Sequence, residues 1–357
     1  MKRVAIIGTQ GVPASYGGFE TLVENMIGEN CPPDVEYTVF CSSKDLPDRR
    51  KTYKGARLKY IPLHANGMQS IPYDILSMIR TIRGYDVVLI LGVSGCVFLP
   101  VLRLFSKVQI IVNIDGLEHR RAKWGKFAKW FLKLSESVAV KFANVIIADN
   151  KGIQDYVSRT YHKKSEIIAY GGDHVIRNVP KDTQNTILEK YGLSSGHFAV
   201  CVCRIEPENN CHIILDAFSK TDKTLVFVGN WDKSEYGRHL KSFYRSFFPS
   251  IKILDPNYDL DVLYTLRSHC NVYIHGHSAG GTNPSLVEAM FFGRPIIAFD
   301  VVYNRETTKN KAYYFSNTDE LLNLLHQNHL NGGPMKEIAE REYTWRRISQ
   351  QYCALYK

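Results

Sequence analysis

Ala199-Val200-Cys201-Val202-Cys203-Arg204-Ile205 is where the chain starts its pattern a second time. The run is apolar up to Cys203, and Cys201 and Cys203, two apart, share one face of an extended segment. A strand that is apolar along its whole length is covered on both faces, as in a parallel sheet wrapped by helices. The run follows a polar span at 173–195 that holds Pro180 and no strong period, which reads as an interdomain linker. Beyond it, strands are predicted at 225–229, 252–254, 272–275 and 295–299, and helices at 211–218, 238–247, 261–268 and 284–292. Upstream the same grammar runs once already, with strands at 4–8, 37–42, 58–62, 87–91, 109–114, 145–149 and 166–169. Helical periods lie between them at 18–29, 73–83, 123–142 and 153–160. Strands alternating with helices imply parallel sheets joined by right-handed crossovers. The expected fold class is therefore α/β, two doubly wound, Rossmann-like domains in series with an interdomain cleft between strand ends.

The totals fit that expectation. A chain of 357 residues suits two domains, and 45% hydrophobic with 22% charged residues is ordinary for globular proteins. The opening Met1-Lys2-Arg3-Val4-Ala5-Ile6-Ile7-Gly8 is too quickly interrupted for a signal peptide. The longest apolar stretch, 87–105, is broken by Gly92, Ser94, Gly95, Pro100 and Arg103, so it reads as strand, turn and helix instead of a membrane span. The 8 cysteines form no Cys-x-x-Cys pair and are expected as free thiols in a cytoplasmic protein. A net charge of +10 attracts nucleic acid, anionic lipid or phosphorylated substrates alike. No nucleic-acid module signature is present, so no nucleic-acid partner is expected.

Two loops carry the chemistry. Gly8-Thr9-Gln10-Gly11-Val12-Pro13-Ala14-Ser15-Tyr16-Gly17-Gly18-Phe19-Glu20 links the first strand to a helix. Its glycines permit close approach to a ligand at a helix N-terminus, which makes Tyr16, Gly17, Gly18 and Glu20 candidates on the acceptor side; a plain tight turn is the alternative. His275-Gly276-His277-Ser278-Ala279-Gly280-Gly281-Thr282-Asn283-Pro284-Ser285-Leu286-Val287-Glu288 ends a strand and opens a helix near Pro284. Amides from Gly281, Thr282 and Asn283 through to Ser285 can hold a diphosphate, and Glu288 can accept hydrogen bonds from a ribose diol. Glu288 can equally be a helix-start carboxylate, and His277 either a diphosphate contact or a packed histidine. His275 and His277 have no third ligand at metal-binding spacing, so no metal site is expected.

At this point the chain resembles the retaining glycosyltransferases of family 4, and within them a bacterial rhamnosyltransferase-like branch. The matching pieces are 8–13 with Tyr16-Gly17-Gly18-Phe19-Glu20-Thr21, Asn113-Ile114-Asp115-Gly116-Leu117-Glu118 with Lys123-Trp124, Tyr170-Gly171-Gly172-Asp173, Arg204-Ile205-Glu206-Pro207-Glu208-Asn209-Asn210, and 280–290. The resemblance implies a GT-B fold, with a nucleotide-sugar donor on the C-terminal domain (196–339) and the acceptor on the N-terminal one (1–172). It also implies a terminal helix, about 340–357, that crosses back to the first domain. Three departures stand out. Gly280 occupies the place of the family's first glutamate, Asn209 that of a basic residue, and His119 that of an aromatic one. Arg204 then becomes the main candidate cation for the diphosphate, with Asn209 and Asn210 beside it, unless Glu206 or Glu208 simply pairs with it.

Transfer needs stabilisation of a leaving diphosphate and an acceptor hydroxyl held for attack. Asp115 and Glu118 are the catalytic candidates for orienting or deprotonating that hydroxyl, against the reading of Asp115-Gly116 as a turn. No Asp-x-Asp stands where a metal would hold the diphosphate, so no metal cofactor is expected. The segment 120–141 is basic and amphipathic. Trp124, Phe127, Phe131, Leu134 and Val138 form one stripe, with Lys126, Lys129 and Lys133 on an adjoining side. Such a helix either docks on the inner leaflet of a membrane, which suits a lipid-linked saccharide acceptor, or packs its stripe on the sheet. The leading reading is a rhamnosyltransferase using dTDP-rhamnose in surface polysaccharide assembly; a GT-B nucleotide-sugar epimerase and a non-catalytic nucleotide-sugar-binding protein are the alternatives.

Overall fold

The alternation closes into two units, Met1–Tyr170 with Trp345–Lys357, and Gly171–Thr344. A computed structural model describes every residue except Ser15, Tyr16, 121–123 and Asn328. The Tyr16 and Lys123 named above thus lie outside the described residues.

The first unit runs β1 (Lys2–Ile7), α1 (Gly18–Met26), β2 (Val35–Ser42), β3 (Thr52–Tyr53), β4 (Ala56–Ile61), α2 (Ser70–Ile79) and β5 (Val87–Leu91). It continues with α3 (Leu99–Phe105), β6 (Gln109–Asn113), α4 (Lys126–Phe142), β7 (Val145–Ala148), α5 (Lys151–Tyr161) and β8 (Glu166–Ile167). Among the described residues these strands make an eight-stranded sheet of order β3-β4-β2-β1-β5-β6-β7-β8. All pairs are parallel except β3 with β4. β1 takes the centre because Val4 to Ile7 are apolar and fully buried, and it pairs with β2 on one side and β5 on the other. The connection order reverses at that point, so β1 and β5 form a topological switch point. The C-terminal helix, Trp345–Ala354, inserts Trp345, Ile348 and Tyr352 into the core of this unit. The spacing of these three places them on one face of the helix.

The second unit runs α6 (Lys181–Lys190), β9 (Phe198–Val202), α7 (Cys211–Ser219), β10 (Thr224–Val228), α8 (Glu235–Phe247), β11 (Ile251–Leu254) and α9 (Leu260–His269). It ends with β12 (Val272–His275), α10 (Pro284–Met290), β13 (Ile296–Phe299), α11 (Val302–Thr307), β14 (Tyr313–Phe315), α12 (Thr318–Leu325) and α13 (Gly333–Glu342). Its six strands are all parallel, in the order β11-β10-β9-β12-β13-β14, with the switch point between β9 and β12.

Two expectations change, and one open alternative is narrowed. The span 173–195 is not a bare linker: α6 buries Ile187 and Leu188 and packs on α9, so it belongs to the second unit. Its polar surface hid a narrow apolar edge of two residues. The return to the first unit starts at Trp345, because residues from Gly333 to Glu342 form α13 and bury Met335, Ile338 and Ala339 in the second. Of the two orientations left open for the α4 stripe, its start is turned outward. The helix buries Leu132, Ser135, Glu136, Ala139 and Val140, while Phe127 and Leu134 of the stripe, and Trp130, are exposed. The inward face is held by polar bonds. Glu136 accepts from Tyr156 Oη at 2.6 Å, Tyr161 Oη at 2.5 Å and Lys133 Nζ at 3.1 Å, and lies 3.0 Å from His119 Nδ1. Lys133, expected beside Lys126 and Lys129, is thus drawn into this cluster. Burial alone would raise the Glu136 carboxyl, but these hydrogen bonds and the Lys133 charge hold it down at about 2.

Candidate active site

In the second unit the loops after β9 and β12 leave the strand ends on either side of the switch point, and side-chain bonds stitch them together. Asn209 Nδ2 donates to the Arg204 carbonyl at 2.6 Å, which turns its Oδ1 toward His277 Nδ1, 2.6 Å away. His277 Nδ1 is therefore the donor, and in the neutral ring the lone pair sits on Nε2. Asn210 Nδ2 donates to the Gly276 carbonyl at 2.8 Å, and Ser278 donates from both N and Oγ to the Glu208 carbonyl. Gly276 is needed there because a Cβ would stand 2.1 Å from the Asn209 carbonyl oxygen. Asn304, on α11, joins the cluster by donating from Nδ2 to the His277 carbonyl at 2.8 Å. Arg204, Asn209, Asn210 and His277 are thus brought into one crevice. The two asparagines and His277 also position the loops. Arg204 Nη2 lies 3.7 Å from Glu206 Oε2, a loose pair in which both side chains are partly exposed. An ion pair at that distance leaves the guanidinium fork able to donate to an anion.

The α10 start carries the rest. Gly281 and Thr282 lie in the loop before it, and Asn283 caps the helix, its Oδ1 accepting from the Ser285 amide at 3.0 Å. This corrects one expectation: the Ser285 amide is taken by the cap, so a diphosphate there would rely on earlier amides and on Arg204. Glu288, one turn in, is held by Arg267, whose Nη2 lies 2.5 Å from Oε2, and its Oε1 is 3.6 Å from His174 Nε2. Arg267 is almost fully buried and its Nε lacks a hydrogen-bond partner. Burial lowers the His174 pKa, opposed by the Glu288 charge. Sequence reading missed both Arg267 and His174. His174 directly follows the Tyr170-Gly171-Gly172-Asp173 motif, which was the available signal; Arg267 is a lone cation near the end of a helical period and gave none.

In the first unit Glu20, on α1, is buried and accepts from the Gln10 amide at 2.8 Å. Gly17 closes over it: a Cβ there would stand 1.9 Å from Glu20 Oε2, and the residue has φ +126°. Burial raises the Glu20 pKa, the Gln10 bond offsets part of that, and the Asp115 and Asp45 charges add to it. Asp115 follows β6 in the left-handed region, φ 59°, and its amide donates to Asn113 Oδ1 at 3.0 Å. Asn113 in turn donates to Tyr352 Oη at 2.9 Å, so the C-terminal helix braces the turn beneath Asp115. Asp115-Gly116 is thus a turn that also carries a carboxylate. Glu118 Oε1 accepts from Trp124 Nε1 at 3.0 Å, and Gly18 starts α1. The structure draws Glu20 and Asp115 into electrostatic contact and ties Glu118 to the entrance of α4. Among the described residues no group of three or more His, Cys, Asp or Glu side chains could hold a metal ion.

Residues 196–327 match the family model described as glycosyl transferases group 1, and residues 1–173 match a domain of unknown function, DUF1972. No curated protein matches the chain. Among solved structures, sucrose-phosphate synthase from Thermosynechococcus elongatus aligns over 100% of this chain and 98% of its own at TM-score 0.82 and 16% identity. Anabaena HepE in complex with UDP-glucose aligns over 99% of both chains at TM-score 0.76 and 13% identity. A glycosyltransferase from Rickettsia africae aligns over 100% of this chain and 97% of its own at TM-score 0.76 and 13% identity.

The fold is GT-B. With the glycosyl transferases group 1 domain in the second unit, these likenesses support a GT-B glycosyltransferase. In the GT-B frame both loops singled out in the sequence sit at switch points, where open parallel sheets bind ligands.

Proposed function

We propose that the chain is a retaining, metal-independent glycosyltransferase of family 4, in the rhamnosyltransferase-like branch. It would move L-rhamnose from dTDP-rhamnose to a lipid-diphosphate-linked saccharide during bacterial surface polysaccharide synthesis. The observation that carries this reading is the β9–β12 crevice, where Arg204, His277, Asn209 and Asn210 converge on one strand-end loop cluster. A guanidinium and a hydrogen-bonding imidazole are suited to stabilise the negative charge that develops on a leaving diphosphate. Glu288, with one oxygen held by Arg267, keeps acceptor capacity for a ribose diol. In the first unit Asp115 and Glu20 supply carboxylates for orienting the acceptor hydroxyl. That a structural neighbour was crystallised with UDP-glucose adds weight to a nucleotide-sugar donor. Among the described residues no helix is long and apolar enough to cross a membrane. The protein is read as peripheral at the inner face of the plasma membrane, with α4 as its contact.

The test is a thermal-shift and mass-spectrometric screen with dTDP-rhamnose, UDP-glucose, UDP-N-acetylglucosamine and GDP-mannose, with and without EDTA, alone and with a lipid-diphosphate-sugar acceptor. EDTA-insensitive stabilisation by dTDP-rhamnose, with the acceptor gaining one deoxyhexose, is expected. Arg204→Met should then lower kcat/KM by about 10²–10³-fold. Stabilisation by a different donor would replace rhamnose in the proposal, and product formation without acceptor would replace transfer by epimerisation.

A further inference from the structure

A helix that merely covers a sheet turns its apolar stripe inward. α4 is apolar on both sides: it buries Leu132, Ala139 and Val140 together with Ser135 and Glu136, yet leaves Phe127 77% and Trp130 60% exposed, with Leu134 beside them on the outer side. The polar cluster around Glu136 explains how this is held, since the carboxylate's four partners fix which face points in. The neighbouring helix repeats the arrangement. α3 packs on α4 and buries Leu99 and Leu102, yet Leu104 is 78% and Phe105 64% exposed. Both helices join strands that advance in one direction across the sheet, β5 to β6 and β6 to β7, so right-handed crossovers put them on the same face. Arg103 fastens their ends together through the Phe142 carbonyl at 2.9 Å. Two packed helices therefore present large apolar side chains outward on one face of the first unit, Phe127 and Trp130 near the start of α4 and Leu104 and Phe105 near its Phe142 end.

The charge around this face is one-sided. From residue 61 to 142 the chain has eleven Lys and Arg against five Asp and Glu. Of the acids, Asp74 and Glu136 are buried and Asp86 is paired with Arg3. Lys107, Lys126 and Lys141 are exposed at the ends of the two helices. A second copy of the chain would meet this face with the same positive charge, whereas an anionic surface complements it.

We propose that α3 and α4 together form a docking face for a bilayer with anionic headgroups. Leu104, Phe105, Phe127 and Trp130 enter the interface, and the lysines at the helix ends contact the headgroups. The proposal rests on the membrane-facing reading given above and extends it from one helix to two. α3, which the sequence analysis reads as a helix but not as a membrane contact, is the half that distinguishes it.

The test is co-sedimentation of the full chain with vesicles of phosphatidylcholine alone or mixed in equal parts with phosphatidylglycerol, at low and high salt. Wild type should bind the mixed vesicles, and weakly or not at all the neutral ones, with binding reduced by salt. L104E/F105E, at highly exposed positions, should keep the wild-type melting temperature and lose binding by at least about tenfold. F127E/W130E should do the same. Wild-type affinity in L104E/F105E would overturn the part played by α3, and absence of wild-type binding would overturn the whole. A wild-type dimer in sedimentation that L104E/F105E dissociates, without vesicle binding, would assign the face to a second copy. Transfer to a water-soluble short-chain acceptor, measured without vesicles, separates the two readings. Its loss in wild type beside normal vesicle binding defeats the proposed reaction and leaves the surface standing. Normal transfer beside absent vesicle binding does the reverse.

Discussion

By the β1–β5 switch point of the first unit, Glu20 is buried under Gly17, and the Asp115 charge helps to raise its pKa. At the β9–β12 switch point of the second, Arg204 stands beside Glu206, His277 is hydrogen-bonded by Asn209, Asn210 ties the loops together, and Glu288 is paired with Arg267. The backbone scheme is the same in both places, a glycine-bearing loop at the end of a central parallel strand. Under the proposed reaction, Glu20 and Asp115 would serve the attacking hydroxyl and Arg204 with His277 the leaving diphosphate, one half-task in each unit.

The largest effect expected from breaking this comparison is on the acidic side. Asp115→Asn keeps the turn, because asparagine tolerates the left-handed backbone, and removes the charge. It should lower kcat by about 10²–10⁴-fold while donor KM stays near normal. A rise in donor KM with kcat preserved would place Asp115 in donor binding and end the division of labour.

Next comes the pair that holds Glu288. Arg267→Met leaves a carboxylate in a half-closed site and should cost about 3–5 kcal/mol of stability, measured by denaturant unfolding. Adding Glu288→Gln should recover much of that stability without recovering transfer. Full recovery of transfer in the double variant would show that the pair is structural only.

The smallest effect sharpens the contrast by pH. His275 is buried with an unpartnered Nε2, and burial holds its pKa down at about 3. A lowered histidine contributes stability above its unfolded value near 6.5 and loses it as pH falls toward 3, by about 1.4 kcal/mol per pH unit. Glu136 in the first unit, held at about 2, loses its contribution only as pH falls below its ordinary value of 4.5. Glu20, whose pKa is raised, pulls the first unit the other way and favours it as pH drops. Hydrogen exchange resolved by unit should therefore show the second unit loosening first between pH 6 and 5, and His275→Leu should flatten that response. Earlier loosening of the first unit would contradict the assignment.

Much of the frame was readable from residues alone, because doubly covered strands such as 87–91 and 272–275 are unbroken apolar runs whose limits coincide with the observed ones. What escaped had weaker signals. α6, α12 and α13 bury only two or three side chains each, too few to stand out from polar surroundings. β3 has two residues and β14 three, below any period. In the candidate site, loops with several glycines and asparagines announced themselves, whereas Arg267 contributes through a single long-range contact that local pattern does not encode. The orientation of α4 stayed open for a related reason. Its periodicity identifies an amphipathic helix, but which face turns inward is decided by Tyr156 and Tyr161, on a different helix.

The C-terminal helix has a consequence for how the chain is made. Its Tyr352 hydroxyl accepts a hydrogen bond from Asn113, 239 positions earlier, and Trp345 and Ile348 complete a core that also contains Val4 and Ile6. All of Gly171–Thr344 is translated in between. On the ribosome, then, the first unit begun is the last one finished: the second can close its sheet from contiguous sequence while the earlier one waits with a gap in its core. A nascent chain stalled before residue 345 should hold a protease-resistant second unit beside a first unit that is still open to cleavage.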